Sequence, residues 1–319
     1  MTISSIHFIP GEMKRVSSPR RSNMIARVIY WELRRLAAAR STWIISFIIF
    51  ALAAAIELII ANASQETISS AAGGRTFWID WGSDFGLLHT LPIVVGMGLA
   101  LFTPFLCTDG IARDLKRRTH ELLMTTALPS WAYVWGRFFC SLLLSAGMAF
   151  LVLLAIIIVN LGRHQIQPDL YLTPDIRGII VLWAIILLPQ SIILCSISFA
   201  LGTLWPRLST LIKVALISGW FLTGPIMTQF DLTTTYAVWD PTSLAVAIAQ
   251  EDTGIVMRQL ALQTWNENTQ SFLATLHARE QLLPDMTPWN THHWIWIGTS
   301  MLLVLLASLL FRRFRDIVA

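Results

Sequence analysis

The stretch Thr108–Arg137, TDGIARDLKRRTHELLMTTALPSWAYVWGR, is a charged segment between two strongly apolar ones. Its leucines recur at near-helical spacing while the basic residues occupy other faces, Pro129 ends that helix, and Ser130 is placed to cap the next. We therefore expect an amphipathic helix held beneath a membrane by a span on either side, where a partner protein could push on the spans. The alternative is a loop that only fixes the membrane topology. Such a loop would need the positive charge, but it would not need an ordered helix, a proline that ends it and a residue that caps the next helix.

The composition on both sides of this segment is that of a membrane protein. Hydrophobic residues make up 55% of the 319 residues, charged residues make up 13%, and the mean hydropathy is +0.62. We predict an all-α integral membrane protein with spans about 20 residues long, enough to cross a hydrocarbon core of about 30 Å. The six predicted spans are Thr42–Ala61, Leu87–Cys107, Phe138–Val159, Ile179–Leu201, Leu211–Met227 and His292–Phe311.

The distribution of Lys and Arg predicts the orientation. With the N-terminus inside, 18 of the 23 Lys and Arg residues fall on the inner side, as the positive-inside rule requires. Both termini are then cytoplasmic, and the net charge of +4 reflects topology, with no nucleic-acid surface indicated.

This topology divides the chain into three parts. Residues 1–41 are predicted to form a cytoplasmic tail followed by an interfacial helix over 23–40. Alternatively, residues 23–40 are part of a cytosolic basic tail. Residues 42–311 form the membrane domain, with a coupling segment at 108–137, a short outer loop after the first span and an extracytoplasmic cap at 228–291. Residues 312–319 form a cytoplasmic tail.

The charged segment resembles the region after the second span of ABC-2 type transporter permeases, whose pattern is roughly E-x-x-x-G-T-L-E-L-L-L-T-x-P-L-S, with a Gly-Lys pair opening the third span. Asp114 stands for the leading Glu, and Gly136-Arg137 stands for the Gly-Lys pair. Arg118, His120 and Ala127 depart from the pattern. The direct matches are Thr119, Glu121, Leu122, Leu123, Thr125 and Leu128.

The resemblance implies a permease subunit without its own motor, located in the plasma (inner) membrane. Separate ABC ATPase subunits would bind ATP and Mg²⁺, a second copy or a paralogue would complete the pathway, and substrate would be exported. The residues implied to couple to the ATPase are Arg117, Arg118, Glu121, Leu122 and Leu123. The sequence itself has no G-x-x-x-x-G-K-[ST] phosphate loop, because none of its 17 glycines precedes a lysine.

Other candidate sites are few. Glu57 is the only carboxylate inside a predicted span, so it is either a substrate or proton site on the pathway or a packed, hydrated structural residue. His120-Glu121 begins an HExxH pattern, but position 124 is Met, so we expect no zinc site and no other metal, cofactor or catalytic group. We interpret His292 and His293 as part of an interfacial anchor and the three cysteines as buried thiols.

Two functions from other classes stay open at this stage. One is a scaffold that anchors a cell-envelope machine through the 228–291 cap. The other is an intramembrane enzyme, which would need two ionisable groups at matching depth in different spans. Cargo cannot be deduced from the residues, since one fold serves many substrates.

Overall fold

The computed structural model describes residues 22–60, 62, 64–70, 73–109, 111, 129–229, 239–243, 259–260, 262–263, 268–280 and 287–318. The tail before residue 22, most of the coupling segment and much of the cap lie outside these described residues.

The chain is mostly helical, as predicted. The first half comprises α1 (Ser22–Ala38), α2 (Arg40–Ile60), strands β1 (Ser64–Ser70) and β2 (Gly73–Ile79), α3 (Asp84–Cys107) and α4 (Ser130–Ile166). The second half comprises α5 (Ile176–Leu182), a π-helical turn (Trp183–Leu187), α6 (Leu188–Leu204), a 3₁₀ turn (Pro206–Leu208), α7 (Ser209–Gln229), α8 (Thr269–Glu280) and α9 (Thr287–Val318).

Four helices in the described part of the chain are long and apolar enough to cross a membrane, which makes this a membrane protein. They are Arg40–Ile59, Ser130–Ile166, Ile176–Leu204 and Asn290–Phe311. Each contains or closely overlaps a predicted span. α4 has 37 residues and measures about 55 Å at 1.5 Å per residue, so it extends well beyond a hydrocarbon core of about 30 Å.

One element departs from the predicted all-helical fold. The segment expected to be a short outer loop forms an antiparallel hairpin, with Ser64 opposite Ile79 and Ser70 opposite Gly73. Thr, Ile, Phe and Trp residues in these strands favour extended backbone, and Gly73 and Gly74 begin the second strand. Seven residues per strand carry too little hydropathic signal for detection among long apolar helices.

The described residues form three apolar clusters. One joins α2, α3, α4 and α5, and includes Ile49, Leu88, Leu99 and Ile156. Another joins the start of α4 to α6 and α9, where the rings of Phe138 and Phe199 lie 5.4 Å apart. The third joins α3, α6, α7 and α9 around Trp220. Polar side chains lie at both ends of the helical bundle. We name these ends after the elements that lie there: the α1 end, near α1, and the hairpin end, near β1 and β2.

Candidate functional site

The five predicted coupling residues, Arg117, Arg118, Glu121, Leu122 and Leu123, lie in 112–128, outside the described residues. The structure does describe both flanks of this segment. α3 ends at Cys107, and α4 begins at Ser130 after Pro129. Both flanks lie at the α1 end of the bundle, so their contacts determine what a force applied to the segment would move.

An ion pair connects α1 to the first turns of α4. The Glu32 carboxylate pairs with the guanidinium groups of Arg35, on its own helix, and Arg137, on α4. The Arg137 side chain is buried, and its guanidinium lies 5.6 Å from the centre of the Tyr133 ring. Removal of one partner would leave the other charge poorly solvated, so this pair holds the two helices in one register.

The backbone of α4 also approaches α1 closely. A Cβ atom added at Gly136 would lie 2.7 Å from both Cβ and Cγ1 of Val28, which is closer than real Cβ contacts come. Only glycine allows this approach. The Gly136-Arg137 pair singled out in the sequence therefore has a structural role in the contact with α1.

The other flank of the coupling segment is also fixed. Asp109, just beyond the end of α3, forms an ion pair with Lys213 of α7, with Oδ1 of the aspartate 2.6 Å from Nζ of the lysine. The Lys213 ammonium lies 5.3 Å from the centre of the Phe105 ring. Displacement of the coupling segment would thus act on α3 and α7 on one side and on α1 and α4 on the other.

At the hairpin end, Glu57 lies in an interhelical contact. Its side chain is 0% exposed, and its Oε1 accepts a hydrogen bond of 3.1 Å from Asn160 Nδ2 of α4. Arg163 donates to the carbonyl oxygens of Glu57 and Leu58 at 3.0 and 2.8 Å, and to Asn62 Oδ1 at 2.9 Å. The guanidinium thus satisfies carbonyls at the end of α2 that lack intrahelical donors.

Asp80 connects the hairpin to two other parts of the fold, the connection between α4 and α5 and the end of α8. Its carboxylate accepts hydrogen bonds from the Gly82 and Leu172 amides at 2.8 and 2.9 Å, and its own amide donates to Glu280 Oε1 at 3.1 Å. Burial raises the pKa of Asp80 above its usual value, and the amide donors partly oppose this shift. The pKa of His277 is raised because its ring is hydrogen-bonded to Glu280, 3.3 Å away.

A small cleft lies beside Asp80, between the start of α3 and the start of α5. The cleft is about large enough for one water molecule. Burial, together with the neighbouring Asp175 carboxyl, raises the pKa of Asp84 to about 7. The lining residues are Asp80, Gly82, Ser83, Asp84, Leu172, Thr173, Pro174 and Asp175.

A third polar contact surrounds the π-helical turn. Pro189 has no N–H for the Ile185 carbonyl, and the His293 ring of α9 lies against that carbonyl. His293 Nε2 is 3.2 Å from Ser243 Oγ, and Gln190 Nε2 donates to the Thr242 carbonyl at 2.7 Å. The turn 239–243 is therefore fastened to both α6 and α9.

This contact corrects the interpretation of His293 as part of an interfacial anchor. Its partner Ser243 adopts a φ of 54°. His293 is 2% exposed, so the anchor interpretation is wrong for it. His292 packs instead against the Trp239 ring, with centroids 4.1 Å apart. Residues 50 positions apart give no local signal of such a contact.

The cysteines are free and buried, as predicted. Cys107 Sγ lies 3.2 Å from Cys195 Sγ, which brings the end of α3 against α6. Neither known family models nor curated proteins include a match to this chain.

Proposed function

We propose that this chain is the membrane-spanning subunit of an ATP-driven exporter of the ABC-2 type. The observation that best supports this function is the ion pair between Glu32 of α1 and Arg137 of α4, at one flank of the charged segment. A segment that only fixed topology would need no such bond between an amphipathic helix and the next long helix. The resemblance in 108–137 supplies the identity of the exporter class.

In this proposal, α3 and α7 are the remaining two spans, and both termini are cytoplasmic. The α1 end faces the cytoplasm of a plasma (inner) membrane, and the hairpin and α8 face outwards. The concentration of Lys and Arg before α2, around 113–118 and at the end of α9 supports this orientation. The exposed Tyr30 and Trp31 of α1 suit a helix lying at the membrane interface.

The proposed mechanism couples two proteins. A partner ATPase binds ATP and Mg²⁺, and its closure displaces residues 114–126 through Arg117, Arg118, Glu121, Leu122 and Leu123. The movement passes along the chain to α3 and α4, through the ion pair of Asp109 to α7, and through the ion pair of Arg137 to α1. A second copy or a paralogue completes the pathway, and cargo leaves the cytoplasm or the inner leaflet. Glu57 moves with α2 in this mechanism. Loss of its hydrogen bond to Asn160 would expose the Glu57 carboxylate to the pathway.

The test measures ATP hydrolysis by the co-purified ATPase with and without this chain. Glu121→Arg should abolish the stimulation and leave membrane insertion intact. Unchanged stimulation would refute the role of Glu121.

A second set of variants tests transmission within the chain. Glu32→Gln and Arg137→Gln should each reduce the stimulation, because each breaks the ion pair that joins α1 to α4. The double variant should be less impaired than the sum of the two, since both single changes remove the same ion pair. The matched control is Arg27→Gln, an exposed residue of the same helix. Equal losses in all three single-residue variants would refute a specific role of the ion pair.

A further inference from the structure

The cleft between α3 and α5 has a feature that the proposed export function does not use. Asp84 is 3% exposed, and its Oδ1 has no hydrogen-bond partner in the described structure. A buried oxygen of this kind is rare and costs free energy unless it is protonated or bound to a cation.

A second carboxyl group faces the same space. Asp175 lies within hydrogen-bonding reach of Asp84 and is itself exposed. Its Oδ1 accepts a 2.9 Å bond from the Arg177 amide, which fixes the orientation of the carboxylate at the start of α5. The two groups thus face each other, one inside the cleft and the other at its rim.

The backbone is shaped to hold these carboxyl groups together. A Cβ atom at Gly178 would overlap the Asp84 carboxyl, so α5 can approach α3 here only because this residue is glycine. Ser83 Oγ accepts a 3.3 Å bond from the Gly86 amide and fixes the first turn of α3. The site is therefore built from two helix starts rather than from a loose loop.

The charged side chains that line the cleft are acidic. Of the described residues, those lining the cleft include three carboxylates and no basic side chain, and the Glu280 carboxylate lies behind Asp80. Arg163 is bonded to the end of α2 instead. Two facing carboxylates in hydrogen-bonding reach repel each other unless a proton or a cation lies between them.

We propose that this cleft binds a hard divalent cation, Ca²⁺ or Mg²⁺, between the carboxylates of Asp84 and Asp175. In the described part of the chain, no group of three or more His, Cys, Asp or Glu side chains is placed to hold a metal ion. With two carboxylates, the proposed site is similar to those in which one or two carboxylates hold a hard cation whose other ligands are carbonyl and water oxygens. The ion would link α3 to α5 at the hairpin end.

The test uses the full-length purified chain in lipid nanodiscs, with CaCl₂ and MgCl₂ as probes against NaCl of equal ionic strength. Equilibrium dialysis with ⁴⁵Ca²⁺ should show one saturable ion per chain, half-saturated at about 0.1–1 mM, as in extracellular Ca²⁺ modules. Asp84→Asn and Asp175→Asn should each raise the dissociation constant at least tenfold. Asn can still cap α5, so the second variant should fold even if the first does not.

The matched control is Asp169→Asn, an exposed acid in the same connection. Its dissociation constant should stay within about twofold of the wild-type value, as expected for a surface substitution away from the site. Absence of saturable binding at pH 8, or unchanged binding in both cleft variants, would overturn the proposal and leave a carboxyl pair that shares a proton. No ATPase is needed, so the result is independent of the export proposal.

Discussion

Gly136→Ala should destabilise the protein by driving α1 away from α4. The new Cβ would lie 2.7 Å from both Cβ and Cγ1 of Val28, against an ordinary contact distance of 3.4 Å or more. A movement of at least about 0.7 Å is needed, and neither atom is the end of a flexible chain. Overpacking of this kind costs about 1–3 kcal/mol.

The same helix supplies a control. Gly147 has no neighbouring atom within 4 Å of an added Cβ, so Gly147→Ala should be neutral or stabilising by up to about 1 kcal/mol. Val28→Gly removes both clashing atoms, so the double variant Val28→Gly/Gly136→Ala should recover about 1–3 kcal/mol relative to additivity.

The assay is unfolding of the full-length chain in one detergent, followed by tryptophan fluorescence, together with stimulation of the partner ATPase. Gly136→Ala should lower both the unfolding midpoint and the stimulation, and the double variant should restore part of each. If Gly136→Ala and Gly147→Ala behaved alike, the close contact between α1 and α4 would be refuted.

Two further predictions concern the two ends of the bundle. Mild oxidation with copper–phenanthroline should join Cys107 to Cys195, because their Sγ atoms are 3.2 Å apart and a disulfide requires about 2.05 Å. Maleimide labelling after denaturation should then detect two fewer thiols in the oxidised protein than in the reduced protein, both in wild type and in Cys140→Ser. An unchanged number of thiols would contradict this packing. The raised pKa of His277 means that its bond to Glu280 stabilises the fold below the unfolded pKa of 6.5 and is lost as pH rises through the higher folded pKa. The thermal midpoint of wild type should therefore exceed that of His277→Gln at pH 5.5 and converge with it by pH 8.5, and a pH-independent difference would contradict this linkage.

Hydropathy and charge predict the long helices well because burial in lipid demands a continuous apolar run. α2 begins two residues before the predicted start of the first span, and the helical stretch 176–204 contains all of the predicted fourth span. α1 was predicted from its amphipathic pattern and begins at Ser22, one residue from the expected start.

The polar contacts were much less predictable, because residues distant in sequence form them. Glu57 and Asn160 are 103 positions apart, and no spacing rule connects them. A local signal did exist for the cleft, since Asp80 and Asp84 flank Trp-Gly-Ser at the start of α3. The partner at Asp175 depends on how α3 and α5 pack, and this packing requires the three-dimensional arrangement.

The central claim is that a separate ATPase drives this chain through the segment 108–137. The most direct measurement places a photo-crosslinking amino acid at position 121 in the native membrane and identifies the attached protein by mass spectrometry. We predict attachment of a P-loop ATPase, with a yield that changes when ATP is added. Labelling of the segment by a membrane-impermeant reagent from outside the cell, with no ATPase attached, would contradict the account.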